Sequence, residues 1–145
     1  MESFPTTDQE GTITWRSEEG VVHREDGPAI TFDDGTEEWY LDGIPHNPNG
    51  PAITDSLGNK KWYYKGMKHR VGGPAIEFSN GDYVYYYEDL LHREDGPASS
   101  MGGELVWFLH GKVVYSDMTD TNPDFEDADL SEALKQSIIK YRLKS

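Results

Sequence analysis

The chain has 145 residues, a formal charge of −14, no cysteine, and a 35% hydrophobic fraction beside 12% aromatic residues, nine Tyr and four Trp among them. Disulfides, thiolate metal sites and cysteine nucleophiles are excluded, no apolar run approaches the ~20 residues that span a bilayer, and Met1–Pro5 lacks the basic and apolar regions of a signal peptide, so a cytoplasmic chain is expected. Disorder depletes aromatics, so this composition predicts a polar folded chain with a thin core, as in a twisted sheet with one buried face.

Residues 1–22 read as a degenerate opening copy of a repeat, with Gly11-Thr12-Ile13-Thr14-Trp15 echoing Gly35-Thr36-Glu37-Glu38-Trp39. From residue 23 the repeat is plain. His23, His46, His69 and His92 recur at a step of 23, each followed by a corner that closes on Gly-Pro-Ala. Such a period marks a repeat array in which atypical terminal copies cap the stack. Within the first full copy, Ala29-Ile30-Thr31-Phe32 alternates as a half-buried strand does. Asp33-Asp34-Gly35 has the chemistry of a three-residue hairpin loop, and Glu37–Leu41 is the expected return strand. Asp42-Gly43 reads as a two-residue turn with positive φ. Ser56-Leu57-Gly58 and Ser79-Asn80-Gly81 repeat the first turn; Lys65-Gly66 and Glu88-Asp89 repeat the second, Asp89 standing where Gly is usual. The copy from His92 lacks one residue between Ala98 and Gly103.

Residues 1–115 therefore form the predicted array, residues 116–128 an acidic linker, and residues 129–145 a segment of different period. Asp129 with Glu132 suggests a capping box, and Leu130, Leu134, Ile138 and Tyr141 follow at helical spacing. An amphipathic helix over 130–143 is expected. It either covers an apolar end of the array or offers that stripe to a partner or a second copy. The fold class that results is all-β: an antiparallel sheet of stacked β-hairpin repeats with one C-terminal α-helix.

The run Trp39-Tyr40-Leu41-Asp42-Gly43-Ile44-Pro45-His46, followed by Gly50-Pro51-Ala52-Ile53 and Gly58, resembles the MORN repeat. It is most similar to variant arrays with His-Arg-x-Asp-Gly-Pro-Ala units found in tailed phages and large DNA viruses. The likeness covers roughly residues 11–115, with Gly-Pro-Ala in place of the family's Gly-x-Gly corner. It implies a long antiparallel sheet with a scaffolding or binding role, and a viral chain acting in the host cytoplasm.

Charge and side-chain chemistry narrow the partners. Residues 129–145 hold two acids against four bases, which leaves −16 on residues 1–128. That field repels phosphate backbones and anionic lipid, so no direct nucleic-acid or membrane binding is expected, and a partner protein with a basic surface is favoured. Equivalent histidines on strands roughly 9–10 Å apart are too distant to share a metal at about 2.0–2.1 Å. His23, His46, His69 and His92 are therefore read as structural corners, with Asp26 and Asp95 as candidate partners. Arg24 with Asp26 and Arg93 with Asp95 read as local ion pairs. Clustered acids such as Asp33/Asp34 and Glu37/Glu38 flank turns rather than a cleft, and no phosphate loop or nucleophile motif is present. No catalytic residue, cofactor or metal is implied.

Trp39, Trp62, Tyr85 and Trp107 form one aromatic series; Tyr40, Tyr63, Tyr86 and Phe108 form a neighbouring one. Alternation sends the two series to opposite faces, and the second is the candidate binding face. Lys60, Lys61, Lys65, Lys68 and Arg70 make a small positive island. The leading expectation is a non-catalytic protein-binding module, such as an inhibitor docking on a host protein through an acidic, aromatic-rich face. Binding or sequestering of a small ligand such as a nucleotide, and a self-assembling scaffold or homodimer, are the alternatives.

Overall fold

The computed structural model describes residues 1–119, 125–127 and 129–144. Among them an eleven-stranded antiparallel sheet runs the length of the array, and a C-terminal helix spans Glu132–Lys144. The sheet starts with Phe4–Thr7 and Ile13–Arg16. Three full copies then add two short strands each: Ile30–Thr31 with Glu37–Glu38, Ile53–Thr54 with Lys60–Lys61, and Ile76–Glu77 with Tyr83–Val84. Ser99–Met101, Glu104–Leu109 and Lys112–Ser116 complete it. The mid-region of the expected acidic linker, 120–124 and 128, lies outside the described residues.

The return strand expected over Glu37–Leu41 divides at Trp39. Glu37–Glu38 stays in the main sheet, whereas Tyr40–Leu41 pairs only with Ile44–Pro45 in a separate side hairpin. Trp39 is the branch point, donating its N–H to Ala52 O of the next copy at 2.7 Å while its carbonyl accepts from His46 N at 3.0 Å. Trp15 bonds Ala29 and His23 in the same way, Trp62 bonds Ala75 and His69, and Tyr85 bonds Ala98 and His92. Tyr63–Tyr64 with Met67–Lys68 and Tyr86–Tyr87 with Leu90–Leu91 repeat the side hairpin. Trp107 has no following copy to bond. Its strand instead runs on through Leu109 and pairs with Lys112–Ser116 across a bulge at Trp107/Phe108.

Turn chemistry follows the sequence closely. Gly35, Gly58 and Gly81 take φ of 92°, 89° and 96° at the end of three-residue loops, the left-handed position that Gly fills without strain. Both residues of each side turn have positive φ, including Asp89 at 66°. Asp89 also donates its N–H to Lys68 O at 2.9 Å and accepts the Lys68 N–H on Oδ1 at 2.7 Å. The residue missing from the last copy shortens its first loop to Gly102-Gly103, with φ of 60° and 88°. The opposite change occurs in the opening copy. One extra residue converts the side turn into Ser17–Val21, closed by Ser17 N to Val21 O at 2.8 Å.

The core is as thin as the composition predicts. Between the ends of the array it consists largely of Ala29, Ala52, Ala75 and Ala98, all at 0% exposure. These alanines carry the inter-copy bonds. Among the described residues the largest fully buried side chains, Trp107, Leu134 and Ile138, gather at one end, where Leu130, Leu134 and Ile138 cover Trp107, Leu109 and Tyr115. The other end is an open edge. Trp15 turns both its N–H and C=O away from the first strand, so its partner Pro5 faces the edge. Proline has no N–H to offer there, and so blunts the edge against strand addition.

Candidate functional site

The corners are built by two side chains. The histidine Nδ1 accepts the first N–H of the next side turn: His23 from Asp42 at 2.9 Å, His46 from Lys65 at 3.3 Å, His69 from Glu88 at 3.1 Å and His92 from His110 at 3.0 Å. Each donor residue has φ near 50°, so the imidazole stabilises the strained half of the side turn in its own copy. The expected Asp partners of the histidines belong instead to the arginines. Arg24 Nε donates to Asp26 at 2.9 Å and Arg93 Nε to Asp95 at 2.8 Å. The His23 and His92 Nε2 atoms lie 3.5 Å from Glu25 and Glu94. The aspartate side chain sits beside the longer guanidinium, which leaves the imidazole to the glutamate.

Those guanidiniums are sandwiched. Arg24 lies over Trp15, Arg70 over Trp62 and Arg93 over Tyr85, at 4.1, 3.8 and 4.2 Å from the ring centroids. Each also donates to the proline carbonyl of its own corner, Pro28, Pro74 or Pro97. The glycine before that proline is dictated by the sandwich and not by φ. A Cβ on Gly27, Gly73 or Gly96 would stand 2.8, 2.9 or 2.7 Å from the guanidinium carbon.

A ring ladder runs beside the corners. His46, Tyr64, His69, Tyr87, His92 and His110 follow one another with centroid separations of 5.6, 5.9, 4.6, 6.1 and 4.4 Å. In the side hairpins Leu41 faces Ile44, Tyr64 faces Met67 and Tyr87 faces Leu90, and directly opposed residues share a face. That face is open: Ile44, Tyr64, Tyr87 and Leu90 are 45%, 46%, 50% and 49% exposed. The result is an apolar, aromatic band along the array, bordered by the exposed turn acids Asp42, Glu88 and Asp89.

The series expected to form the binding face lies on the other side of these hairpins. Tyr40, Tyr63, Tyr86 and Phe108 are all partly buried. Tyr40 donates its hydroxyl to Glu38 at 3.0 Å, and burial, then that bond, push its phenol up to about 12. Lys68 lies over the Tyr86 ring at 4.9 Å. Alternation holds, but the break at the branch point resets it to the side hairpin, so in two copies the third aromatic of the run, Tyr64 or Tyr87, takes the exposed position.

The predicted partner helix has its apolar stripe engaged within the chain. Leu134 and Ile138 are fully buried and Leu130 is 6% exposed. The Tyr141 ring packs tilted against Trp107, centroids 5.3 Å apart, and its hydroxyl donates to Asp117 at 2.9 Å. The expected Asp129 cap is replaced by Ser131, whose Oγ accepts Leu134 N at 3.1 Å and donates to Glu94 O at 2.6 Å. The cap thus also ties the helix to the last corner.

The lysine island is divided among separate elements. Lys60 and Lys61 belong to the main sheet, with Lys60 opposite Glu77, while Lys65 sits in a side turn and Lys68 in the strand that follows it. Arg70 is paired with Glu77 at 2.9 Å. Shallow grooves of about 500 and 850 Å³ lie between successive corners, at Asn47–Gly50 and Arg70–Gly73. The arginines in their walls are held by their own stacks and carbonyls, which leaves little cationic chemistry for an anionic ligand. Among the described residues no three His, Asp or Glu are placed to share a metal ion, and no helix is long and apolar enough to cross a membrane. Compared with family models, characterised proteins and solved structures, the chain matches none.

Proposed function

We propose that the chain is a non-catalytic, MORN-like repeat array that binds a protein partner through the exposed face of its side hairpins. The supporting observation is the continuous band of Leu41, Ile44, Tyr64, Met67, Tyr87 and Leu90, which stays open although the chain has a helix to cover other apolar surface. Half-exposed aromatic and aliphatic side chains in a row are the anchors from which interfaces are built. The bordering turn acids and the net charge of −14 favour a partner with a basic surface. An inhibitor that occupies a basic groove on a host protein is the finer form of this reading.

The test is capture of a partner by the tagged chain and by two variants, Tyr87→Glu and Leu90→Glu. Both positions are exposed, so the fold should survive, as circular dichroism would verify. A partner held by the wild type and released by both variants, and by high salt, is the expected result. Equal capture by all three proteins would remove the band from the interface. A concentration-dependent dimer abolished by the same variants would identify a second copy as the occupant.

A further inference from the structure

Three of the four histidine corners carry an arginine after the histidine; in the second, Asn47 stands in that position. Asn47 keeps part of the arginine's work, since Nδ2 donates to Pro51 O at 3.0 Å and Oδ1 accepts Asn49 N at 3.1 Å. It is too short to cover the ring. Among the described residues no cation lies over Trp39, whereas Trp15, Trp62 and Tyr85 each carry a guanidinium. The space is measurable at the glycine. A Cβ on Gly50 would meet only Asn47 Nδ2, at 3.6 Å, where the other three corners present guanidinium atoms at 3.1 Å or less. Gly27, Gly73 and Gly96 are buried, but Gly50 is partly exposed.

We infer that this corner is a receptor for an arginine side chain supplied by a protein partner. The guanidinium stacks on Trp39 as the chain's own arginines stack on Trp15, Trp62 and Tyr85. Three such sandwiches within one molecule show that the geometry suits a planar cation. Asn47 Oδ1 has a second lone pair for one of its N–H groups. The net charge of −14 favours a cationic side chain from the partner. Lysine lacks the planar group that fills such a slot, so arginine is the residue selected. The site is distinct from the apolar band and does not depend on it.

The probe is the blocked tripeptide acetyl-Gly-Arg-Gly-amide, titrated into the full chain while the indole N–H signals are followed by NMR, with the lysine tripeptide as control. The Trp39 signal should move saturably at millimolar arginine peptide, at least several-fold less with lysine, while Trp15 and Trp62 stay in place. In Asn47→Arg the slot is filled from within, so the melting temperature should rise and the Trp39 response should vanish. A motionless Trp39 signal, equal movement of all the indoles, or an undiminished response in Asn47→Arg would each overturn the inference. A lower melting temperature for Asn47→Arg would overturn it without any ligand, by showing that a guanidinium does not fit there.

Discussion

The imidazole of His69 accepts the backbone N–H of Glu88 at 3.1 Å, joining the corner that opens its copy to the positive-φ side turn of that same copy. His69 also stands between the rings of Tyr64 and Tyr87, 5.9 and 4.6 Å away. Replacing it by Ala removes an acceptor and a rung of the ladder together. His69→Ala should lower stability by about 1–2 kcal/mol, measured by urea denaturation, with the chain still folded at room temperature.

The glycines before proline should respond unequally to one added methyl. Gly73→Ala displaces the Arg70 guanidinium from between Gly73 and Trp62, losing stacking and the bond to Pro74 O. A cost of about 1–2 kcal/mol is expected. Gly50→Ala meets ordinary contact distance and should stay within about 0.5 kcal/mol of wild type. Paired thermal melts of the two variants check this.

Truncation under the helix should be the most damaging single change. Leu134 is fully buried against the last hairpin, so Leu134→Ala should cost about 2–5 kcal/mol. Hydrogen exchange should then rise over the helix and Glu104–Ser116 well before it rises in the first copies, because each copy contacts only its neighbours.

Acid should weaken the first turns. Asp34 accepts the Thr36 N–H at 2.8 Å, and that bond holds its carboxyl below the ordinary 3.8. Asp55 is lowered first by the Asn59 side-chain amide, at 2.9 Å, and then by the Asn59 and Leu57 N–H groups. A folded value below the unfolded one gives stability that is complete above the unfolded value and lost as pH falls through the folded one. Stability should therefore decline as pH drops past 3.8, and the Asp55→Ala variant should show a shallower decline. At the alkaline end the sign reverses for Tyr40. Its raised phenol gives stability that is complete below 10 and lost on the way to about 12, and Tyr40→Phe should remove that loss. Urea titrations across both ranges, with tyrosinate absorbance at the upper end, read these effects.

What the residues disclosed in advance were the locally determined features. Gly35, Gly58 and Gly81 announce their loops, the step of 23 announces the stack, and the stripe from Leu130 to Tyr141 announces a helix. Asp89 could even be assigned its positive φ, although not its two bonds to Lys68. The branch at Trp39 was not legible, because nothing in Glu37–Leu41 marks which N–H will be claimed by an alanine of the next copy. Alternation carried straight through Trp39 points to Tyr63 and Tyr86, whereas the side hairpin exposes Tyr64 and Tyr87. The arginine sandwich was hidden in a similar way. Arg24 and Asp26 are close enough in sequence to suggest an ion pair, whereas the ring under Arg24 belongs to the previous copy. One clue was on view, in that Asn47 breaks the arginine series at a corner whose glycine is kept.

The alanine-centred joint between copies has a genetic corollary. Each copy meets its predecessor through the same two bonds, an aromatic N–H to an alanine carbonyl and a histidine N–H to the aromatic carbonyl, so the sequence of one copy can follow any other. In-frame duplication or loss of a whole unit, as unequal recombination produces, leaves every joint intact and alters only the reach of the exposed band. The gene can thus lengthen or shorten the exposed band in whole steps, while Pro5 blunts one end and the C-terminal helix covers the other whatever the count.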